Sequence, residues 1–133
     1  MWHWIKNKMI KQIPSKEIKN YIKNNPKCVL LDVRTEEEWN EGKPDGDKIG
    51  LKTYFLSLQF KGGILNQNFV KEFKNLKINQ DYEILISCGS GGRSQGAAEI
   101  LSAEGYNCSN ISDGFLGDNS GKIGWKNNQL PTK

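Results

Sequence analysis

A short apolar run that ends on a cysteine and a cluster of glycines restricts the fold of this chain more than any other feature. The run Ile84–Ser87 has the composition of a buried strand, and Cys88 and the four small residues 89–92 follow it. Arg93 and Ser94 then open a helical pattern. This strand–loop–helix order brings backbone N–H groups and a helix N-terminus to the cysteine sulfur, where they stabilise a thiolate. Cys88 is therefore the candidate reactive residue.

Strand and helix patterns alternate along the whole chain. The continuous apolar run Cys28–Val33 is typical of a strand that is buried on both faces of a parallel sheet. The alternation predicts an α/β sandwich with a mostly parallel sheet, in which ligands bind at the carboxyl ends of the strands, where Cys88 lies. The predicted strands are Met9–Ile13, Cys28–Val33, Thr53–Leu58, Tyr82–Ser87 and Cys108–Ile111.

Local signals place helices between these strands. Thr35 and Glu38 have the spacing of a capping box, which explains the local run of glutamates without a metal site. A helix from about Ser94 to Glu104 is predicted to bury Ala97, Ile100 and Leu101 against the sheet. The remaining local predictions are a first helix opened by Pro14 and Ser15, a turn at Gly62 and Gly63, a core stripe of Phe69, Phe73 and Leu76, and helix ends at Gly42 and Gly105.

The length of 133 residues fits one domain with a single core, predicted for residues 9–133 after an extension of residues 1–8. The 19 Lys and Arg against 15 Asp and Glu give a net charge of +4 without a basic tract, which disfavours nucleic-acid binding and is compatible with small anionic ligands.

No stretch approaches the ~20 apolar residues of a membrane span. The start of the chain lacks a signal-peptide pattern, and Trp2 and Trp4 are expected to pack on the domain or to belong to a loose terminus. We therefore expect a cytoplasmic protein.

The cysteines and acidic residues outside the loop do not indicate a metal or a disulfide framework. The 3 cysteines lie far apart without a C-x-x-C pair, and His3 is the chain's one histidine. Such thiols fit a reducing compartment. Asp45 and Asp47 are spaced like the first ligands of a calcium loop, but later positions of that pattern carry apolar side chains. Cys28 and Cys108 begin predicted strands and are expected to be inert core thiols.

The residues of the cysteine loop alone are compatible with three interpretations. The first is a buried structural cysteine before a glycine-rich turn. The second is a dinucleotide-binding turn, because Gly89-x-Gly91-x-x-Ser94 follows a strand, although Ser94 replaces the third glycine of that pattern. The third, which we favour, is a nucleophilic cysteine beside a curl of N–H groups that binds an anion. Gly89, Gly91 and Gly92 would supply the positive φ angles of the curl, and Arg93 would add a fixed charge or clamp the loop to the body.

Four sequence blocks occur in an order that belongs to a known family. Residues 31–39 contain D-V-R-x-x-x-E-W, and the loop Cys88–Ser94 reads C-x-x-G-x-R-S. Residues 113–118 and 124–131 are similar to G-G-[FW]-x-G and G-W-x-x-x-G-L-P. Together these blocks resemble the single-domain rhodaneses, a family of sulfurtransferases, and the resemblance extends from about residue 9 to the end of the chain.

The resemblance implies a three-layer sandwich with a five-stranded, mostly parallel sheet and helices on both faces. It also implies a double displacement, in which the Cys88 thiolate takes a sulfane sulfur as a persulfide and passes it to a thiophilic acceptor without a cofactor. The implied ligands are small sulfur-containing anions such as thiosulfate or mercaptopyruvate, and a sulfur-relay protein is a further implied partner. The loop amides expected to stabilise the persulfide are those of Gly89, Ser90, Gly91, Gly92, Arg93 and Ser94.

Loop length and neighbouring residues refine this expectation. Four residues separate Cys88 from Arg93, whereas phosphatases and arsenate reductases of the same fold have five, so sulfur transfer is favoured over oxyanion chemistry. A non-catalytic module for partner binding or redox sensing is the main alternative. Asp32 and Arg34 follow a buried strand and are predicted to form a structural ion pair or a loop anchor. The segment 43–51 departs from the family pattern and is expected to border the active-site mouth.

Overall fold

The computed structural model describes residues 9–133, so the predicted extension 1–8 with Trp2, His3 and Trp4 lies outside the described residues. Within this range the chain alternates between strands and helices. The strands are β1 Lys11–Ile13, β2 Cys28–Asp32, β3 Lys52–Phe55, β4 Gln59–Phe60, β5 Ile64–Leu65, β6 Glu83–Ser87 and β7 Asn107–Ile111. The helices are α1 Ile18–Asn24, α2 Glu36–Asn40, α3 Phe69–Asn75 and α4 Gly92–Ala103, with 3-10 turns at Ser15–Glu17 and Gly46–Ile49.

Five strands form one parallel sheet in the order β1-β7-β6-β2-β3. Strands β2 and β6 pair from Cys28 opposite Glu83 to Asp32 opposite Ser87, so the carboxyl ends of the two central strands are level. Every residue of both strands is buried, as predicted for strands covered on both faces. The level ends place the residues that follow β2 and β6 side by side.

Apolar clusters cover both faces of the sheet. One cluster combines Leu31 and Ile86 of the central strands with α3 and α4, and Phe73 and Leu101 are among its buried side chains. The other combines Leu30, Leu85, Ile18 of α1 and the C-terminal segment, including Trp125. This arrangement confirms the predicted three-layer α/β sandwich.

The local helix signals are also confirmed. The Thr35 side chain accepts from the Glu38 amide and the Glu38 side chain accepts from the Thr35 amide, which completes the capping box of α2. Gly105 follows α4 with a φ of 97°, as expected of the residue after a helix end. Gly62 and Gly63, with φ values of 87° and 80°, lie in the turn between β4 and β5.

Several predicted bounds differ from the structure, and the predicted buried face of α4 is right for Ala97 and Leu101 but wrong for Ile100. The third sheet strand ends at Phe55 rather than at Leu58, because the chain then leaves the edge of the sheet for the β4–β5 hairpin. In α4, Ile100 is 38% exposed, and the face buried against the sheet consists of Ser94, Ala97, Ala98 and Leu101. This face follows i, i+3, i+4, i+7 spacing from Ser94.

Among residues 9–133, no helix is long and apolar enough to cross a membrane. In the same range, no group of three or more His, Cys, Asp or Glu side chains is arranged to hold a metal ion.

Candidate active site

The candidate nucleophile Cys88 directly follows β6, at the carboxyl edge of the sheet. Its side chain lies at the bottom of the loop and the residue is only 1% exposed. Gly91 is the N-cap of α4, which begins at Gly92. The predicted strand–loop–helix unit therefore forms, and the helix starts two residues earlier than the sequence pattern indicated. The first N–H groups of α4 have no acceptor within the helix and face the loop.

The carbonyl groups of the loop are held by donors from outside it. The Cys88 and Gly89 carbonyls accept from the amides of Phe115 and Leu116, at 2.8 and 2.9 Å. The Ser90 carbonyl accepts from the Lys122 ammonium at 2.9 Å, and the Gly91 carbonyl accepts from the Asn110 side chain at 3.1 Å. Four successive carbonyls are thus engaged by other groups, and the Gly91 amide donates to the sulfur.

Of the three loop glycines, Gly91 is the one with a positive φ, at 107°. The prediction that Gly89 and Gly92 also supply positive φ angles was wrong. Gly92 is already helical, and a side chain on Gly89 would lie 3.2 Å from the Arg93 guanidinium. Gly114, on the segment that binds the loop carbonyls, has a φ of 64°, and a Cβ there would lie 2.5 Å from the Gly89 carbonyl oxygen. Glycine at position 114 therefore permits the close approach of the two segments.

The Cys88 sulfur has two hydrogen-bonding neighbours. The Gly91 amide lies 3.2 Å from Sγ, and the Ser94 hydroxyl lies 3.3 Å from it. The same hydroxyl is 2.5 Å from Oδ1 of Asn110, a buried residue of β7. Ser94 was predicted to contribute its backbone amide, and the structure adds its side chain. Asn110 was not predicted, because nothing in its local sequence connects it to a loop almost twenty residues earlier.

Arg93 clamps the loop to the body of the protein. Its guanidinium donates to both carboxylate oxygens of Glu38 on α2, at 2.6 and 2.9 Å. This guanidinium, assisted by the Thr35 amide, lowers the pKa of Glu38 to about 2, and Glu38 in turn raises the pKa of Arg93. The sequence offered one signal for this pair, since Glu38 is the glutamate of the D-V-R-x-x-x-E block.

Lys122 is a second cation on the loop that sequence reasoning missed. It is exposed and lies in the segment after β7, and its Nζ donates to the Ser90 carbonyl. Arg93 is bound by both oxygens of Glu38, whereas the Lys122 ammonium contacts a neutral carbonyl, and the Asp118 carboxylate in the same segment is the opposite charge near it. A long flexible side chain of this kind can turn toward an anion at the loop mouth.

Asp32 and Arg34 form a buried ion pair beside the loop. The Arg34 Nε lies 3.1 Å from an Asp32 carboxylate oxygen, and Nη2 donates to the Gly42 carbonyl at 2.9 Å. The guanidinium also stacks over the Phe115 ring at 4.3 Å, so it connects the end of β2 with the segment that binds the cysteine loop. Burial raises the pKa of Asp32, and the Arg34 charge opposes that effect. These contacts fit the predicted structural role.

The other two cysteines lie toward the opposite edge of the sheet. Cys28 pairs with Glu83 and Cys108 with Ile84, so roughly 13–17 Å of strand separates them from Cys88 at ~3.3 Å per residue. Burial raises the pKa of both Cys28 and Cys108 to about 12. Thiols of this kind are unreactive, and neither is positioned to resolve a bond on Cys88.

The comparison with known proteins agrees with the fold and the loop. The family profile described as "Rhodanese-like domain" matches residues 15–119. The chain belongs to the rhodanese-like family. An uncharacterized protein of Rickettsia prowazekii (strain Madrid E) is 44% identical over 127 residues, which cover 92% of this chain and 97% of that protein.

Two further rhodanese-like comparisons are informative. The crystal structure of Rv0390 from M. tuberculosis has a TM-score of 0.80 and 32% identity, with 92% of this chain and 96% of that chain covered. Thiosulfate sulfurtransferase 18 of Arabidopsis thaliana is 37% identical over 87 residues, which cover 65% of this chain and 62% of that protein. The similarity to Rv0390 extends over almost the whole described domain.

The segment 43–51 of this rhodanese-like domain is anchored by the C-terminus. The Lys43 amide donates to the Lys133 carbonyl and the Asp45 amide to the Pro131 carbonyl, both at 2.9 Å. The Asp47 side chain accepts from the Thr53 amide at 3.1 Å, so this carboxylate stabilises the entry into β3. The Asp45 carboxylate lies 3.9 Å from the Lys133 ammonium, so both aspartates of the calcium-like spacing have partners within the protein.

Proposed function

We propose that this rhodanese-like protein is a sulfurtransferase that carries a sulfane sulfur as a persulfide on Cys88. The observation that supports this proposal most strongly is the curl of the loop around the sulfur. Four loop carbonyls bind donors outside the loop, and the Gly91 amide donates to Sγ. A preorganised amide donor at a sulfur stabilises the negative charge of a thiolate and of a persulfide without reorganisation.

The reaction with thiosulfate has two balanced steps. The Cys88 thiolate attacks the outer sulfur of thiosulfate, the S–S bond of the donor breaks with its electron pair on the leaving group, and sulfite departs. The product is a Cys88 persulfide anion whose outer sulfur lies among the loop amides. A nucleophile such as cyanide then attacks that outer sulfur, forms thiocyanate and returns the Cys88 thiolate.

The charges around the loop favour a small sulfur-containing anion over phosphate or arsenate as the substrate. Lys122 on the Ser90 carbonyl offers one cation to a thiosulfate sulfonate or a mercaptopyruvate carboxylate. Phosphate and arsenate are frequently bound by a bidentate guanidinium, and Arg93, the arginine of the loop, is already bound by both oxygens of Glu38. A protein persulfide is a donor of the same chemistry and fits a sulfur-relay role. The name of the Arabidopsis relative, a thiosulfate sulfurtransferase, supports the same class of reaction.

The proposal is tested by measuring thiocyanate formation from cyanide with thiosulfate and, separately, with mercaptopyruvate. We expect turnover by the wild-type protein and none by Cys88→Ser. The matched control is Cys28→Ser, which makes the same chemical change at the far edge of the sheet and is expected to retain turnover.

Thiocyanate formation by Cys88→Ser at the wild-type rate would refute the role of Cys88. Absence of turnover with either small donor, with Cys88 still open to alkylation, would instead support the non-catalytic module or a protein donor. Hydrolysis of an aryl phosphate by the wild-type protein would contradict the preference for sulfur over oxyanions.

A further inference from the structure

The side chain of Asn110 has a fixed orientation beside the cysteine loop. Its Nδ2 donates to the Gly91 carbonyl at 3.1 Å and to the Gln12 side-chain oxygen at 2.9 Å. These two acceptors occupy both Nδ2 protons, so Oδ1 is the atom that faces Ser94, 2.5 Å from its hydroxyl oxygen. Asn110 is 3% exposed, and its Oδ1 therefore depends on a protein donor.

The Ser94 hydroxyl has one proton for two acceptors. Oδ1 of Asn110 carries no proton, so the short contact requires Ser94 to donate to Asn110. In this arrangement Ser94 Oγ can only accept from a Cys88 thiol, 3.3 Å away. When Cys88 ionises, the thiolate needs a donor, and the hydroxyl can turn to sulfur only if the buried Oδ1 of Asn110 loses its partner.

We propose that Asn110 is a positioning residue that competes with the Cys88 thiolate for the Ser94 proton and thereby disfavours the free thiolate. The competition follows from the geometry of three side chains on three elements, the Cys88 loop, α4 and β7. It acts on the resting cysteine and does not depend on which molecule reacts with it.

Under the proposed function, the same competition also affects the balance between the Cys88 thiolate and the Cys88 persulfide. In a Cys88 persulfide anion the charge lies on the outer sulfur, and Sγ becomes a neutral divalent atom that no longer needs the Ser94 proton. The Ser94–Asn110 hydrogen bond is then retained. Asn110 therefore destabilises the free thiolate relative to the persulfide and favours the sulfur-loaded protein.

The charged groups around Cys88 are unchanged among the variants at Ser94 and Asn110. Arg93 of α4 is paired with Glu38 of α2, Lys122 lies on the Ser90 carbonyl, and Asp32 is paired with Arg34 at the end of β2. These charges influence the ionisation of Cys88 in every variant, so their contributions cancel when variants at Ser94 and Asn110 are compared with each other.

The test is the pH dependence of Cys88 alkylation by iodoacetamide, followed by peptide mapping, in the full chain without any sulfur donor. We expect Asn110→Ala to move the alkylation profile to lower pH by about one unit, the effect of one neutral hydrogen bond. Asn110→Leu, which fills the site without an acceptor, is expected to move it in the same direction. Ser94→Ala, which removes the proton for which the two acceptors compete, is the background in which Asn110→Ala is expected to have no effect.

The double variant Ser94→Ala/Asn110→Ala separates this competition from a general effect on loop shape. If Asn110 acts through the Ser94 proton, adding Asn110→Ala to Ser94→Ala leaves the profile unchanged. An equal acid shift in both backgrounds, or no acid shift in the folded Ala and Leu variants, would overturn the inference. Because alkylation needs no donor, this result is independent of whether the protein transfers sulfur.

Discussion

At the scale of single residues, the reactivity of Cys88 depends on groups that hold the loop from outside. Lys122, Asn110 and the amides of Phe115 and Leu116 bind its four carbonyls. The Gly91 amide is thereby directed at the sulfur, 3.2 Å away. The shape of the loop therefore depends on residues more than fifteen positions further along the chain.

The charge of Lys122 predicts a role in binding anionic donors. Lys122→Ala is expected to raise KM for thiosulfate about fivefold with a small effect on kcat, because one solvated charge pair contributes up to about 1 kcal/mol. Lys71→Ala, which removes an exposed lysine from α3, is the matched control and is expected to leave KM unchanged. An unchanged KM in Lys122→Ala would show that this ammonium only ties down the Ser90 carbonyl.

The sequence predicted the candidate site at residue level but not all of its members. Cys88 and its glycines are contiguous, so their combination is visible in the printed order of residues. Glu38, Asn110 and Lys122 reach the loop from three other elements, and their contacts are created only when the parallel strands align. Sequence reasoning could place strands beside one another in general, but not these side chains at hydrogen-bonding distance.

At the scale of elements, the Glu38–Arg93 pair joins α2 to the first turn of α4. Glu38 belongs to the capping box of α2 as well, so its carboxylate serves both helices. Its pKa in the folded protein is about 2, below the ordinary value of 4.5, because Arg93 and the Thr35 amide bind the ionised form. A lowered carboxyl pKa stabilises the fold above the ordinary value, and this contribution is lost as the pH falls toward 2.

Glu38→Gln is therefore expected to lower the free energy of unfolding by about 1 kcal/mol at pH 7. The difference from wild type should shrink as the pH falls from 4.5 toward 2, as measured by urea unfolding at several pH values. Glu36→Gln, at an exposed position in the same helical turn, is the control and is expected to show a much smaller difference. A Glu38→Gln effect of constant size across this range would indicate that packing, and not the ionised carboxylate, is responsible.

The helix α4 illustrates why the buried face of an element was only partly predicted. The apolar residues Ala97, Ile100 and Leu101 suggested one face, but the face that packs on the sheet begins with Ser94. Ser94 is a polar residue at a core position because it contacts Cys88 and Asn110 there. A pattern based on hydrophobicity excludes such a residue, so the face was misassigned where the site departs from ordinary core composition.

At the scale of the whole molecule, the parallel sheet separates the reactive cysteine from the other two. All three are buried, but Cys88 lies at the carboxyl edge, whereas Cys28 and Cys108 lie toward the amino edge. The sequence left open whether Cys28 or Cys108 approaches Cys88, whereas the fold class was predictable, because buried strands and the edge of a parallel sheet follow from hydrophobic runs and their order. The partners of each thiol were not, because they depend on packing between distant segments.

This separation predicts selective labelling of the native protein. Limiting iodoacetamide at pH 8 is expected to modify Cys88 and to spare Cys28 and Cys108, because burial raises the pKa of those two thiols to about 12. Peptide mapping reads out each site, and labelling in urea serves as the control in which all three react. Labelling of Cys28 or Cys108 in the native protein as fast as Cys88 would contradict the separation.

The central claim, a persulfide on Cys88, is tested most directly by intact-protein mass spectrometry. The protein is incubated with thiosulfate or mercaptopyruvate, its mass is measured, and peptide mapping then locates any added sulfur. Cys88→Ser is the control. We predict a gain of one sulfur atom on Cys88, its loss on addition of cyanide, and no gain in Cys88→Ser. An equal gain in Cys88→Ser, or a gain that maps to a residue other than Cys88, would contradict a persulfide on Cys88.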